Sequence, residues 1–436
     1  MSNAWCPSLC SGHPVTGRRL VVSVAVVVLV ATAGCGPASA SQTGGTTPTP
    51  SQTAVPWLGT FTSVTLPPTV QELRSVTCPT TTTCWAVGSM QGLGNAPSSA
   101  TVVTTVDGGA KWRVRPFPAI VGFLAGIACT GTRACTVVGQ VGSSGTGPGA
   151  VVTTDDSGAT WTLQPVPTGT TDVTAIECGS GDSCIALADV AGRVTSLSRS
   201  GPAAPWVAGG ALPPTVSAGT GISCTEATLC WATGVGPATV GHLTGVVATT
   251  SDGGATWTLQ PIPPGLGALQ DVSCTSTGGQ ASPATTTPST VPGSRTTSSP
   301  VAAAPTTSST LPGSGVDCTA VGTTSTVIGA SRAGQAVVIT TSDGGLTWSS
   351  DPVTATGADL LSVSCRTGPC VAVGSTVASV PQAGLIVLTG SSGAAAHRWD
   401  KAAVVKVGLP LAGIDCGSLS SCVAVGESIS AHLSSS

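Results

Sequence analysis

Four aspartates recur in one local setting and are the side chains best placed to do chemistry: Asp107 in TTVDGGAKW, Asp156 in TTDDSGATW, Asp252 in TTSDGGATW and Asp343 in TTSDGGLTW. Each stands five residues before a tryptophan, namely Trp112, Trp161, Trp257 and Trp348. A carboxylate in a glycine-rich turn can ligate calcium or act as a general acid or base. It can also accept backbone N–H bonds and hold its own turn closed. In that case Gly109, Gly158, Gly254 and Gly345 supply unusual φ angles and the tryptophan packs beneath. Recurrence favours the structural role, because an active site is made once. No DxDxDG-type calcium loop accompanies any copy, so the reading assigns no catalytic residue, no metal and no cofactor.

Cysteine is the second reactive set. Of the 17 cysteines, Cys6, Cys10 and Cys35 fall in the first forty residues; the others form seven local pairs. These are Cys78/Cys84, Cys129/Cys135, Cys178/Cys184, Cys224/Cys230, Cys274/Cys318, Cys365/Cys370 and Cys416/Cys422. An even number in close pairs is the arithmetic of disulfides in an oxidising compartment. Zinc is the alternative, but C-x5-C is not a usual ligand spacing and the chain has only 4 histidines. Outside the leader these are His242, His397 and His432, isolated from one another.

The elements that must hold these residues follow from a period of roughly 50 residues. In the units around 224–263 and 365–399, a short strand ends at the first cysteine and a second strand opens at the next. A glycine-rich loop leads to a third strand, then the aspartate turn, then a fourth strand bearing the tryptophan. Tryptophans 112, 161, 206, 257, 348 and 399 lie 17 or 18 residues before the first cysteine of the following unit. Seven such units predict an all-β, seven-bladed β-propeller over residues 61–436 with one disulfide per blade. An open solenoid is the runner-up. The chain ends offer a discriminator: the last unit stops at HLSSS after three strands, and Phe61 stands 17 residues before Cys78, in the tryptophan slot. Residues 61–68 are therefore expected to complete the last blade and close the ring.

Before the repeats, residues 1–40 read as an export signal, with Arg18 and Arg19 preceding an apolar run from Leu20 to Ala33. The run ends in TAGC, which resembles a bacterial lipobox with Cys35 as the lipidated residue. Ala38-Ser39-Ala40 offers a signal-peptidase site instead. Residues 41–60 are a Thr/Pro-rich tether, and 276–316 form a Ser/Thr/Pro-rich insertion within blade 5, both expected to be disordered. The insertion has the composition of tracts that carry O-linked sugar. Charged residues are 8% of the chain and net charge is -3, which gives no field for nucleic acid or an anionic membrane.

The aspartate turns resemble the Asp-box, S-x-D-x-G-x-T-W, of the BNR-repeat propellers, with threonine in place of the usual first serine. The resemblance covers nearly all of the chain after the leader, though the units of Trp206 and Trp399 keep only the tryptophan. It implies that the boxes lie on the blade periphery between third and fourth strands. Sialidases of this type use a tyrosine nucleophile with a glutamate, an arginine triad and an aspartate. This chain has no tyrosine, its glutamates Glu72, Glu177, Glu226 and Glu427 fall in different units, and no context singles out three of its arginines as a triad.

Two functions remain open. One is an exported, lipid-anchored or secreted, non-catalytic interaction module at the cell envelope, similar to photosystem II assembly-factor propellers, monomeric and contacting an envelope protein. The other is a glycan-binding or glycan-cleaving protein. Trp85 and Trp231, each directly after a second cysteine, could stack on sugars but are expected to pack between blades. Loops at 89–100, 116–126, 233–245, 323–335 and 375–384 are expected on the binding face.

Overall fold

The chain divides into Met1–Thr53 and Ala54–Ser436, and the structure, a computed structural model, is described within the second unit. The described residues are 59–435 apart from 91–98, 143–146, 240–241, 277–314, 325–334, 352, 354–357, 366–369, 377–382, 390–398, 406–409, 419 and 428. The export signal, Cys35, nearly all of the tether and the body of the 276–316 insertion lie outside them.

The described residues form seven four-stranded antiparallel sheets. Blade 4 shows the plan: Ala218–Cys224, Cys230–Thr239, His242–Thr250 and Thr258–Leu259 follow one another as a meander. The innermost strands of blades 1 to 7 are Val70–Thr77, Val121–Cys129, Thr170–Cys178, Ala218–Cys224, Leu266–Ser276, Ala358–Cys365 and Leu411–Ser418. Valine, isoleucine and threonine dominate the second and third strands, as suits a pleated surface packed on both faces. The glycine four residues after a second cysteine lets the inner strand approach: a Cβ on Gly88 would stand 1.9 Å from the Glu72 carbonyl oxygen.

Blade 7 joins the first and last strands of the described residues. Its outer strand is Gly59–Thr65, which pairs antiparallel with Ile429–Ser435 and sets Phe61 opposite Leu433. The solenoid alternative has no use for this pairing; the propeller requires it.

The hydrophobic cores lie between sheets rather than within them. Val371 and Val373 of blade 6 pack with Ile414, Cys416, Cys422 and Ala424 of blade 7, and Phe61 closes that cluster from the edge. Blade 7 in turn gives Val423 and Val425 to a cluster with Leu73, Val76, Ala86 and Trp112 of blade 1. The last blade therefore touches both its neighbours and the ring is continuous. Phe61 occupies in blade 7 the place that Trp112, Trp206, Trp257, Trp348 and Trp399 hold in their own clusters. Each cluster also takes the β-branched residue two before the first cysteine, such as Val76, Ile127 or Val272.

The structure keeps the expected strand opening in blade 6 and departs from it in blades 7 and 5. In blade 6 the second strand opens at Cys370, as the spacing predicts, and spans Cys370–Thr376. In blade 7 it does not open at Cys422: the strand is Ser421–Gly426, because Ser418 pairs with Ser421 beyond the disulfide and lengthens the hairpin. In blade 5 the second strand, Val316–Thr324, likewise begins two residues before Cys318, where Ser276 pairs with Val316.

Some expected loops are strand. Residues 121–126 belong to the inner strand of blade 2, which spans Val121–Cys129. The 233–245 segment is nearly all hairpin, since Cys230–Thr239 and His242–Thr250 run on almost to their turn. Glycine and proline predict a loop there, but pairing resumes after a register shift between Gly236 and Thr239, with Thr239 opposite His242. The loops expected at 89–100, 323–335 and 375–384 lie largely outside the described residues.

Candidate functional site

The meander topology sends the cysteine hairpins and the aspartate turns to one face of the ring. Seven disulfides link the pairs expected from spacing: Cys78–Cys84, Cys129–Cys135, Cys178–Cys184, Cys224–Cys230, Cys274–Cys318, Cys365–Cys370 and Cys416–Cys422. Six of them join residues directly opposite each other in the first hairpin. Cys365–Cys370 is one residue tighter than the common separation of 6, yet keeps the same cross-strand register. Cys274 and Cys318 obey the same geometry although 44 residues separate them. Such clips belong to an oxidising environment. No helix among the described residues is long and apolar enough to cross a membrane.

The four aspartates build their own turns. In blade 4 the Thr250 hydroxyl donates to Asp252 Oδ1 at 2.7 Å and accepts the Gly254 N–H at 2.9 Å. Asp252 then accepts the Thr256 N–H at 2.9 Å and the Thr256 hydroxyl at 2.6 Å. Asp156 with Thr154 and Thr160, and Asp343 with Thr341 and Thr347, repeat the arrangement. Asp107 has Lys111 at the last position, keeping the backbone bond but no hydroxyl. Hydrogen bonds from Thr160 and Thr256 hold Asp156 and Asp252 down to about 2. For Asp107 and Asp343 burial pushes upward, and the bonds from Thr105 and Thr347 outweigh it, so both also lie below the ordinary carboxylate value.

Each turn is then fixed to its own cysteine hairpin. Gly108 donates to the Thr82 carbonyl at 2.8 Å, Ser157 to Arg133 at 3.1 Å, Gly253 to Thr228 at 3.0 Å and Gly344 to Val316 at 3.1 Å. In blades 2 and 5 the preceding blade supports the turn from beneath. Trp85 lies against Gly158, whose Cβ would stand 3.0 Å from its ring, and Trp231 Nε1 donates to the Gly344 carbonyl at 3.0 Å. Trp85 and Trp231 are fully buried, which gives them to packing and removes them as sugar platforms.

The concave feature at the axis is a cavity of about 590 Å³ walled by the inner strands of all seven blades. Its carboxylates include Asp271 and Asp415, and both face a neighbouring blade. Asp271 Oδ2 accepts the Ser362 hydroxyl at 2.7 Å and the Val363 N–H at 3.0 Å from blade 6, while Oδ1 accepts its neighbour Val272 N–H at 2.9 Å. Asp415 Oδ2 accepts the Cys78 N–H at 2.6 Å from blade 1, and Oδ1 accepts the Ser364 hydroxyl at 3.3 Å and the Cys416 N–H at 2.8 Å. Loss of hydration pushes Asp271 up to about 6, against those bonds and with the Asp415 charge adding to the rise. Arg74, also on the wall, pairs with Glu72 at 2.9 Å and stacks 4.4 Å from the Phe123 ring centre.

Neutral side chains make the same links. Ser223 accepts the Cys274 N–H at 3.0 Å, Ser273 the Cys365 N–H at 2.9 Å and Ser364 the Cys416 N–H at 3.2 Å. These serines and Asp415 share one position, the residue before the first cysteine, and so form a column of blade-to-blade acceptors. They carry no local motif, because each bond joins different units, at separations from 51 residues for Ser223 and Cys274 to 337 for Asp415 and Cys78. Aligning the units on the first cysteine exposes the column.

No family model and no curated protein matches the chain. Solved structures do. YCF48 bound to a D1 peptide matches at 14% identity over 86% of this chain and 96% of the other, with a TM-score of 0.53. YCF48 from Cyanidioschyzon merolae matches at 12% over 86% and 98%, with a TM-score of 0.50. A catalytically inactive virginiamycin B lyase from Staphylococcus aureus with quinupristin matches at 9% over 86% and 99%, with a TM-score of 0.53. At such identities the likeness concerns architecture, and the chain has the β-propeller fold that these proteins share.

Proposed function

We propose that the chain is an exported, lipid-anchored, non-catalytic propeller that presents an interaction surface for a protein partner at the cell envelope. The observation that carries this reading is the engagement of the axial acids. Asp271 and Asp415 would be the natural candidates for acid and base in the central cavity, yet both oxygens of each are bonded to backbone or serine groups, several of them across blades. A catalytic pair needs one group free to exchange a proton with substrate. The seven disulfides and the TAGC motif at Cys35 support export and anchoring. The propeller of YCF48 in its complex with a D1 peptide supports a peptide as the kind of partner this architecture can hold.

A paired test uses the oxidised chain on a peptide array and a glycan array. Saturable binding to defined peptides with silence on glycans is the expected result. Glycan binding without peptide binding contradicts the reading.

A further inference from the structure

Blade 3 breaks the repeat at a position that changes its chemistry. In blades 1, 2, 4 and 5 the residue across the sheet from the second cysteine is threonine: Thr105, Thr154, Thr250 and Thr341 oppose Cys84, Cys135, Cys230 and Cys318. Opposite Cys184 of blade 3 stands Arg199. It lies seven residues before Trp206, as Thr250 lies seven before Trp257, so it holds the place of the box threonine in a blade that has no box.

Arg199 is only 6% exposed. Its Nη2 donates to Thr136 Oγ1 at 3.4 Å and lies 3.8 Å from Cys184 Sγ, and the guanidinium stands 5.4 Å from the centre of the Trp206 ring. Nε is buried and has no acceptor. Among the described residues no carboxylate lies within ion-pair distance of it, the one such pair being Arg74 with Glu72. A guanidinium out of water without a carboxylate in direct contact is costly, and burial accordingly lowers its pKa, with the more distant Asp182 charge working the other way. The same side chain lines a cavity of about 250 Å³ between blades 2 and 3, together with Thr136, Thr162, Gln164, Asp155 and Asp182.

We propose that this cavity binds a carboxylate of a protein partner, a chain terminus or an acidic side chain, with Arg199 as the donor. A carboxylate presents acceptors to the terminal nitrogens of the guanidinium and makes the close ion pair that Asp155 and Asp182 do not. Asp155 and Asp182 on the wall limit the ligand to a single negative charge, since a dianion would be repelled by both. The partner class rests on the function proposed above; the carboxylate site does not.

The test needs no natural partner. Acetyl-glycylglycine as the free acid, its amide, glucuronate and inorganic phosphate are titrated by calorimetry into the oxidised chain and into Arg199→Thr, which restores the residue the other blades carry. The acid should bind saturably, with the amide about tenfold weaker or more, as the loss of one charge-assisted hydrogen bond implies. Phosphate should bind more weakly than the acid, and Arg199→Thr should show no preference for acid over amide. Equal binding of acid and amide, a preference that survives in Arg199→Thr, tighter binding of phosphate, or no saturable binding overturns the proposal. Tighter binding of glucuronate overturns the assignment to a protein partner. If Arg199→Thr does not fold, Arg199→Lys decides: undiminished affinity for the acid contradicts a guanidinium fork. Failure of this titration leaves the array result standing, and failure of the peptide array leaves the carboxylate site standing.

Discussion

Asp415 in the last blade accepts the backbone N–H of Cys78 in the first at 2.6 Å, spanning a sequence separation of 337 residues. The bond crosses the seam where the ring closes, beside the cluster in which Val423 and Val425 meet Leu73 and Val76. It is the same link that Ser223, Ser273 and Ser364 make between earlier blades, with a charge in place of a hydroxyl. Replacement by alanine leaves a Cys78 N–H without its acceptor, so Asp415→Ala should cost about 2 kcal/mol in urea unfolding. Asp415→Ser, the residue found in blades 4 to 6, should recover part of the loss. Equal midpoints for wild type and Asp415→Ala would contradict a bonded seam.

The pH profile should peak on the acid side of neutrality. Asp271 has a folded pKa raised to about 6, so its contribution is fully present below the unfolded value of about 4 and is lost as pH rises through 6. Asp172 and Asp359 are raised by burial and act in the same direction. The box acids have the opposite sign: Asp156 and Asp252, held to about 2, contribute above about 4 and lose it as pH falls through 2. Melting temperatures should therefore be highest between about pH 4 and 5. Asp271→Asn should flatten the limb between about pH 4 and 6 and leave the acid limb alone; an unchanged profile would show that Asp271 is not buried as an ionising group.

Much of this architecture is legible in the sequence because it is local or periodic. The cysteine pairs, the aspartate turns and Phe61 recur at regular offsets from repeated landmarks once the insertion between Cys274 and Cys318 is set aside, and spacing places them. The exact strand ends around Cys422 and Cys318 escape it, since pairing beyond the disulfide depends on how far each hairpin stays in register. The links between Asp415 and Cys78 or Asp271 and Ser362 are not legible in that way either, since they join inner strands of different blades and carry no local motif. Arg199 is one arginine among several until its pairing with Cys184 places it in the threonine column. The long hairpin at 230–250 looks like a loop in sequence because glycine and proline mark loops only where strand pairing does not continue through them.

Disulfide loss should be unequal. Loop-closure entropy assigns about 2 kcal/mol to a clip spanning 6 residues, such as Cys224–Cys230, and about 4 kcal/mol to Cys274–Cys318, which spans 44. Paired serine variants compared by guanidinium unfolding should rank in that order. Equal losses would mean that the unfolded chain does not sample the long loop freely.

Ser157 adopts φ 64°, where Gly108, Gly253 and Gly344 stand in the other boxes with φ of 71°, 72° and 72°. A side chain in that region is strained, so Ser157→Gly should stabilise by about 0.5–1 kcal/mol. A lower melting temperature in the glycine variant would mean that the serine side chain makes a compensating contact.

The central proposal is that the repeated residues build a scaffold and that the axial acids do not form a hydrolytic centre. Its most direct test is turnover of a panel of fluorogenic glycosides by wild type and by Asp271→Asn, with heat-inactivated protein as the baseline. The account predicts both proteins at the baseline across the pH range where Asp271 changes charge. Turnover by wild type that Asp271→Asn abolishes would contradict it and make the axial acids catalytic.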